Sequence, residues 1–188
     1  MKKLIALSVA LFSALTFSAH SAAAEETPAT GNAKILIAYY SYSGNTKEVA
    51  EAIQKITGGD LFEIKTEGSY PEEYNAMVQQ AKKEINDNFR PKLTTSVADI
   101  AQYDTIFIGS PNWWGTITPQ VSSFLAEYDL SGKNIIPFIT HGSGGLQNTV
   151  TDLTAQCQGC NINTNAWSGY GNRTQGISSW LEELGFKK

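Results

Sequence analysis

Most residues in this 188-residue chain whose types and spacing suit chemistry fall in three short loops. The first is Ser41-Tyr42-Ser43-Gly44-Asn45-Thr46, between an apolar run and a segment of helical period. Its hydroxyls, a glycine that lets the backbone turn tightly and the free N–H groups of a helix start make a cradle for an anion such as phosphate. It holds no Lys or Arg, and Lys47, one residue into the helix, is more simply read as pointing to solvent. A plain helix cap built from Ser and Asn is the alternative for the whole loop. The second loop, Ser110 to Thr116, sets Trp113 and Trp114 among the turn residues Pro111, Asn112 and Gly115. Paired Trp on a loop is unfavourable unless the rings pack on something flat, either a planar heterocycle or, for at least one ring, the core beneath. The third loop, His141-Gly142-Ser143-Gly144-Gly145 after Thr140, offers backbone N–H groups and an approach free of side chains.

Competing chemistries lack their residues. A nucleoside-triphosphate loop needs Gly-Lys-Ser/Thr, which is absent. A dinucleotide fingerprint comes nearest at Gly169-Tyr170-Gly171, where Thr174 stands in place of the third glycine. A serine hydrolase would need His141 as base, yet Ser143 has no Gly-x-Ser-x-Gly elbow. Two histidines and two cysteines are too few for a multi-His or tetrahedral metal centre, and the carboxylates form no tight cluster in sequence. For His141 two roles stay open, contact with a bound cofactor and a plain exposed loop position.

The elements that must position these loops alternate in period. Residues 34–40 (KILIAYY), 60–65 (DLFEIK), 105–109 (TIFIG) and 135–140 (IIPFIT) are short apolar runs of the kind buried on both faces of a sheet, and Asn161 to Gly169 is a weaker fifth. Between them lie helical stripes: Val49, Ile53 and Ile56, stopped by Gly58-Gly59; then Tyr74, Met77, Val78, Ala81 and Ile85, ended by Pro91; then Val121, Phe124 and Leu125. Ile177, Trp180, Leu181 and Leu184 mark the last helix. Five strands alternating with about five helical segments argue for an α/β fold, a parallel sheet with helices on both faces. In such a sheet ligands sit beyond the carboxyl ends of the strands, where all three loops fall.

Composition bounds the partners. With 14 basic against 18 acidic residues the net charge is −4, with no basic excess for nucleic acid. Met1-Lys2-Lys3 and the apolar run Leu4 to Ala19 have the layout of a secretory leader, with Ala22-Ala23-Ala24 as the small-residue cleavage site. The expected organisation is a signal peptide over 1–24, a flexible lead-in over 25–33 and one domain over 34–188, without a membrane span in the mature form. Cleavage near Ala24 would leave 12 basic against 18 acidic residues, a charge of −6, in an exported (periplasmic or secreted) protein. In that oxidising setting the Cys157-x-x-Cys160 pair favours a small structural disulfide. A redox dithiol gains from a helix N-terminus, whereas Cys157 follows a helical run.

The three loops together, in this order, resemble the flavodoxin family, more narrowly the flavodoxin-like FMN proteins with Pro-Asn-Trp-Trp-Gly in the second loop. The likeness runs from Lys34 to Phe186, with the first loop matching the Thr/Ser-x-Thr/Ser-Gly-x-Thr phosphate loop. The resemblance implies a doubly wound five-stranded sheet in order 2-1-3-4-5 and a bound FMN. Its phosphate would lie on Ser41, Ser43, Asn45 and Thr46, with Trp113 or Trp114 against the isoalloxazine and Thr140 to Gly145 lining the other side. It also implies either an exported electron carrier with a redox partner protein or an FMN-dependent oxidoreductase acting on quinones or similar small acceptors. A flavin-free binding domain that keeps the fold is the third alternative. Export is unusual for flavodoxins, which usually serve the cytoplasm, and it opens the question of the electron donor.

Overall fold

The computed structural model describes residues 34–187, so the expected leader and lead-in lie outside the described residues. Strands β1 (Ile35–Tyr39), β2 (Asp60–Glu63), β3 (Thr105–Pro111), β4 (Asn134–His141), β5 (Asn161–Ile162) and β6 (Trp167–Tyr170) form one sheet. All its ladders are parallel, in the order β2-β1-β3-β4-β5, with β6 also on β4. Parallel neighbours need crossovers, here built around α1 (Asn45–Thr57), α2 (Tyr74–Asn86), α3 (Pro119–Glu127) and α4 (Thr149–Gln156), with α5 (Ile177–Glu183) after β6.

The apolar runs are continuous because both pleat faces are covered. Leu36, Ala38, Ile106, Ile108 and Ile135 point to one face, where Val121, Phe124 and Leu125 of α3 and Leu153 of α4 complete a core. Their sequence neighbours Ile37, Tyr39, Phe107, Ile136 and Phe138 point to the other, against Val49, Ala50 and Ile53 of α1 and Ile177, Trp180 and Leu181 of α5. Period two in the strands thus sorts alternate residues into two separate cores.

The fifth strand differs from the expected continuous Asn161–Gly169. β5 pairs with the start of β4 (Asn134↔Asn161) and β6 with its end (His141↔Tyr170). Between them the Asn163 side chain accepts from Asn165 N–H at 2.9 Å, an Asx turn that takes the backbone out of the ladder. The Asn165 carbonyl is used instead by Trp180 Nε1–H at 2.8 Å.

The strands that flank the loops end within two residues of their neighbours, with Tyr39 opposite Gly109, Pro111 opposite Thr140 and His141 opposite Tyr170. Gly109 also lies opposite Phe138, and a Cβ there would fall 2.2 Å from that ring. Gly109→Ala is therefore expected to lower the unfolding free energy by about 1–3 kcal/mol through overpacking, measured by urea denaturation; an unchanged midpoint would mean that the Phe138 ring does not cover this position.

Candidate functional site

At the carboxyl ends of β1, β3, β4 and β6 the loops surround a cavity of about 590 Å³. Its first wall starts where α1 begins. Gly44 caps that helix in the left-handed region (φ +90°), so no side chain caps it. The amides of Asn45 and Thr46 find no acceptor among the described residues. The Ser/Asn cap is reduced to one contact, from Lys47 N–H to Ser41 Oγ at 3.3 Å, while the Lys47 side chain is exposed. Thr46 is 1 % exposed, and its Oγ1 lies 2.9 Å from Thr140 Oγ1, tying the start of α1 to the end of β4.

The second loop is a tight hairpin. Trp113 and Thr116 exchange both backbone hydrogen bonds at 3.1 Å, and the central residues Trp114 (φ +54°) and Gly115 (φ +88°) are both left-handed, the pattern of a type I′ turn. A bulky residue is unusual there. Trp114 is held by Nε1–H donation to the Val78 carbonyl (3.1 Å) and by the Lys82 ammonium 4.5 Å over its ring. Trp113 turns inward, edge-on to Tyr70 at 5.1 Å, Tyr40 at 5.8 Å and Tyr42 at 5.9 Å.

Asn112 binds this hairpin to the third loop. Its N–H donates to the Thr140 carbonyl (2.7 Å), its Nδ2 to the Gly145 carbonyl (2.7 Å) and Gln147 Oε1 (3.1 Å), and its Oδ1 accepts from Gly115 N–H (2.9 Å). This divides the sequence candidates. Tyr42, Ser43, Asn45, Thr46, Pro111, Asn112, Trp113, Trp114, Thr140, His141 and Gly142 line the cavity. Ser41, Gly44, Gly115, Ser143, Gly144 and Gly145 do not. A Cβ on Gly144 would stand 3.1 Å from Gln147 Oε1 and 3.4 Å from Asn112 Nδ2, so this glycine makes room for the tie between the loops. His141 presents a buried Nδ1 with no partner among the described residues and meets the Tyr170 ring edge-on at 6.4 Å.

Residues outside the three loops complete the cavity: Tyr74, Met77, Val78 and Ala81 of α2, with Tyr170 at the end of β6 and Gly171 after it. The α2 stripe was visible as helical period, but a stripe that walls a cavity reads the same as one that faces a core. Tyr74, 70 % exposed, stands at the rim. Glu73 caps α2 by accepting from the N–H groups of Asn75 (2.9 Å) and Ala76 (2.6 Å), bonds that hold its carboxyl below the usual range. Cys157 and Cys160 are joined by a disulfide, with Cys157 closing the C-terminal end of α4. Gly132 N–H donates to the Gly159 carbonyl, so the bridge sits near the start of β4. The eight residues of that strand put the loop cavity about 23 Å away. Among the described residues no group of three His, Cys, Asp or Glu could hold a metal ion, and no helix is long and apolar enough to cross a membrane.

The sequence model of the flavodoxin family matches residues 34–184. The chain belongs to that family. A Bacteroides eggerthii protein described as a flavoprotein is 31 % identical, with a TM-score of 0.73, over 83 % of this chain and all of that one. A Lactobacillus acidophilus flavoprotein crystallised in complex with FMN is 27 % identical, with a TM-score of 0.65, over 79 % of this chain and 98 % of its own. Among curated proteins, a Cupriavidus metallidurans NAD(P)H dehydrogenase (quinone) is 34 % identical over 97 residues, half of this chain. The match spans only 46 % of that relative. The sheet order 2-1-3-4-5 agrees with the fold that this flavodoxin membership implies.

Burial dominates the tyrosines at and beneath this site. Tyr39 is pushed up to about 12 by burial, then by Glu63 and Glu51. Burial followed by Tyr42 and Glu84 raises Tyr40 further, and Tyr70 is raised by burial and by its bond to Glu84, against a smaller opposite effect of Gln120. Folded tyrosines with raised values hold their protons while unfolded ones ionise near 10.0, so high pH favours unfolding. Their contribution is expected to be full below pH 10 and to fall as pH climbs toward 12. A melting-temperature series over that interval should decline less steeply for Tyr40→Phe than for the parent; equal slopes would refute the assignment.

Proposed function

We propose that this flavodoxin-family protein binds FMN in the loop cavity and works as an exported electron carrier. The observation that carries the reading is the start of α1, where a left-handed glycine leaves the Asn45 and Thr46 amides open toward the cavity. Such a cradle suits the two negative charges of a phosphate monoester without any basic side chain. Ser43, Asn45 and Thr46 would hold the phosphate, and Ser41 would act through its bond to Lys47 N–H, shaping the turn. The cavity volume fits a heterocyclic cofactor, since small-molecule sites run from about 300 to 1,000 Å³. The flavin ring would face Trp113, Trp114 and Pro111 on one side and Thr140 to Gly142 on the other, with the unpartnered His141 Nδ1 available to a ring heteroatom. The FMN complex of the Lactobacillus acidophilus relative supports the same cofactor. When bound, FMN supplies one- and two-electron redox chemistry, while the protein fixes its position and excludes water from part of its surface.

The carrier reading is favoured by what surrounds the mouth. Four of the five large exposed hydrophobic side chains among the described residues, Tyr42, Tyr74, Trp114 and Tyr170, ring this one cavity. Aromatic rims of this kind suit transient docking of a partner protein. A second reading, an FMN-dependent oxidoreductase reducing quinone-like acceptors, is favoured by the names of the curated relatives. Both readings include export after cleavage near Ala24.

Three measurements test these statements. FMN fluorescence should be quenched on titration into the purified protein. Ser43→Asp should weaken that binding at least tenfold, because a carboxylate would then oppose the phosphate; an undiminished affinity would move the phosphate elsewhere. With NAD(P)H and a benzoquinone, negligible turnover is expected for a carrier and sustained turnover would establish the enzyme. N-terminal sequencing of protein recovered from outside the cytoplasm should begin at Glu25.

A further inference from the structure

Behind the aromatic wall lies a second cavity of about 580 Å³, which shares only Tyr42 with the first. Tyr70 lines this second cavity and Trp113 the first, and the two rings meet edge to face at 5.1 Å. The floor is a polar network with one vacancy. Gln120, in the first turn of α3 and only 4 % exposed, donates through Nε2 to the Tyr70 hydroxyl at 3.1 Å. The Tyr70 hydroxyl donates to Glu84 Oε2, and Gln80 Nε2 donates to Glu84 Oε1 at 2.8 Å. Gln120 Oε1 is left buried with no donor among the described residues. Turning the amide over would not cure this, because Tyr70 has one proton and would have to withdraw it from Glu84. A buried acceptor without a donor is unfavourable, and a water or a ligand N–H could serve it.

Charge points the same way. Three glutamates line the cavity; Glu63 is paired with Lys65 at 3.4 Å and Glu67 with Lys92 at 2.7 Å. Glu84, half-buried, has no cation within 4.0 Å among the described residues. The rings of Tyr40, Tyr42, Tyr70 and Phe89 line the same cavity, and aromatic faces attract cations. An acceptor that lacks a donor, a carboxylate that lacks a cation and an aromatic lining point to one ligand chemistry. We propose that this second cavity binds a small organic cation carrying N–H donors, an ammonium or guanidinium group, between Glu84, Gln120 Oε1 and the tyrosine rings. A quaternary ammonium would satisfy the charge and leave Gln120 unpaired. The site is separate from the flavin cavity and does not depend on FMN occupancy.

Calorimetric titration of the purified protein tests this with methylguanidinium and n-butylammonium chloride at fixed ionic strength, beside neutral n-butanol and tetramethylammonium. At least one of the N–H cations should bind saturably, at least tenfold more tightly than either control, and saturating FMN should not displace it. Glu84→Gln should weaken the cation at least tenfold while leaving the melting temperature within a few degrees, since glutamine still accepts from Tyr70. Gln120→Leu should also weaken it, with the preference over tetramethylammonium lost. No saturable heat with either N–H cation, equal binding of butanol or tetramethylammonium, displacement by FMN, or unchanged binding in both variants would each overturn the proposal.

Discussion

Everything at the loop cavity depends on the strands running in one direction. Because each ladder of the sheet is parallel, every strand-to-helix loop emerges at the same end, and the polar peptide ends collect there. Closely matched strand ends then decide which loops touch. Tyr39, Gly109, Pro111, Thr140, His141 and Tyr170 are brought into register by the ladders, so the loops start from a common edge. Two short links convert that edge into a site. The Thr46–Thr140 hydroxyl pair fixes the first loop to the end of β4, and the bonds of Asn112 fix the second loop to the third. Remove the parallel register and neither link has a partner within reach.

The same geometry accounts for how a mildly acidic chain can offer an anion site. The helix start supplies partial positive charge through backbone amides, so a phosphate needs no lysine beside it. The chemistry at the two ends of the sheet is correspondingly unequal. The loop end carries open amides, hydroxyls and aromatic rings, whereas the opposite end near the start of β4 carries the Cys157–Cys160 bridge. A strand length of separation makes direct exchange between that bridge and a group in the loop cavity a poor account of the cysteines. A staple closing the end of α4 fits the buried Cys157 and its place as the helix cap.

Much of this was legible from sequence because the informative features are local. Continuous apolar runs such as residues 105–109 require a sheet covered on both faces, and the turn residues at 41–46, 111–115 and 141–145 follow three of them directly. Eleven of the seventeen loop candidates line the cavity. The exceptions teach the most. Ser143, Gly144 and Gly145 look like ligand-facing residues in sequence, yet the Gly145 carbonyl holds Asn112 and Gly144 leaves room for Gln147, roles visible only once the loops are folded against each other. Tyr74, Met77, Val78 and Ala81 were legible as a stripe but not as a cavity wall, because hydrophobic period reports that a face is covered and not what covers it. The broken fifth strand was missed for a related reason. Asn163 competes for the backbone through its side chain, and that competition is decided by Trp180 arriving from α5.

The aromatic wall shows how one set of side chains can serve two spaces. Trp113 cannot lie flat on its tyrosine neighbours, because Tyr40, Tyr42 and Tyr70 all meet it edge-on. That arrangement sets positive ring edges against negative ring faces and holds the Trp113 ring with no side-chain hydrogen bond among the described residues. Tyr42 is fixed in turn by donation to the Pro71 carbonyl at 3.0 Å, and Tyr70 by Glu84 and Gln120. The Trp113 ring is therefore bounded by the backbone hairpin with Thr116 and by tyrosine rings that polar groups beyond the wall anchor. A single ring, that of Tyr70, stands between Glu84 and Trp113. The half-buried Glu84 carboxylate and its network support the wall of the loop cavity even though none of Gln80, Glu84 and Gln120 lines it.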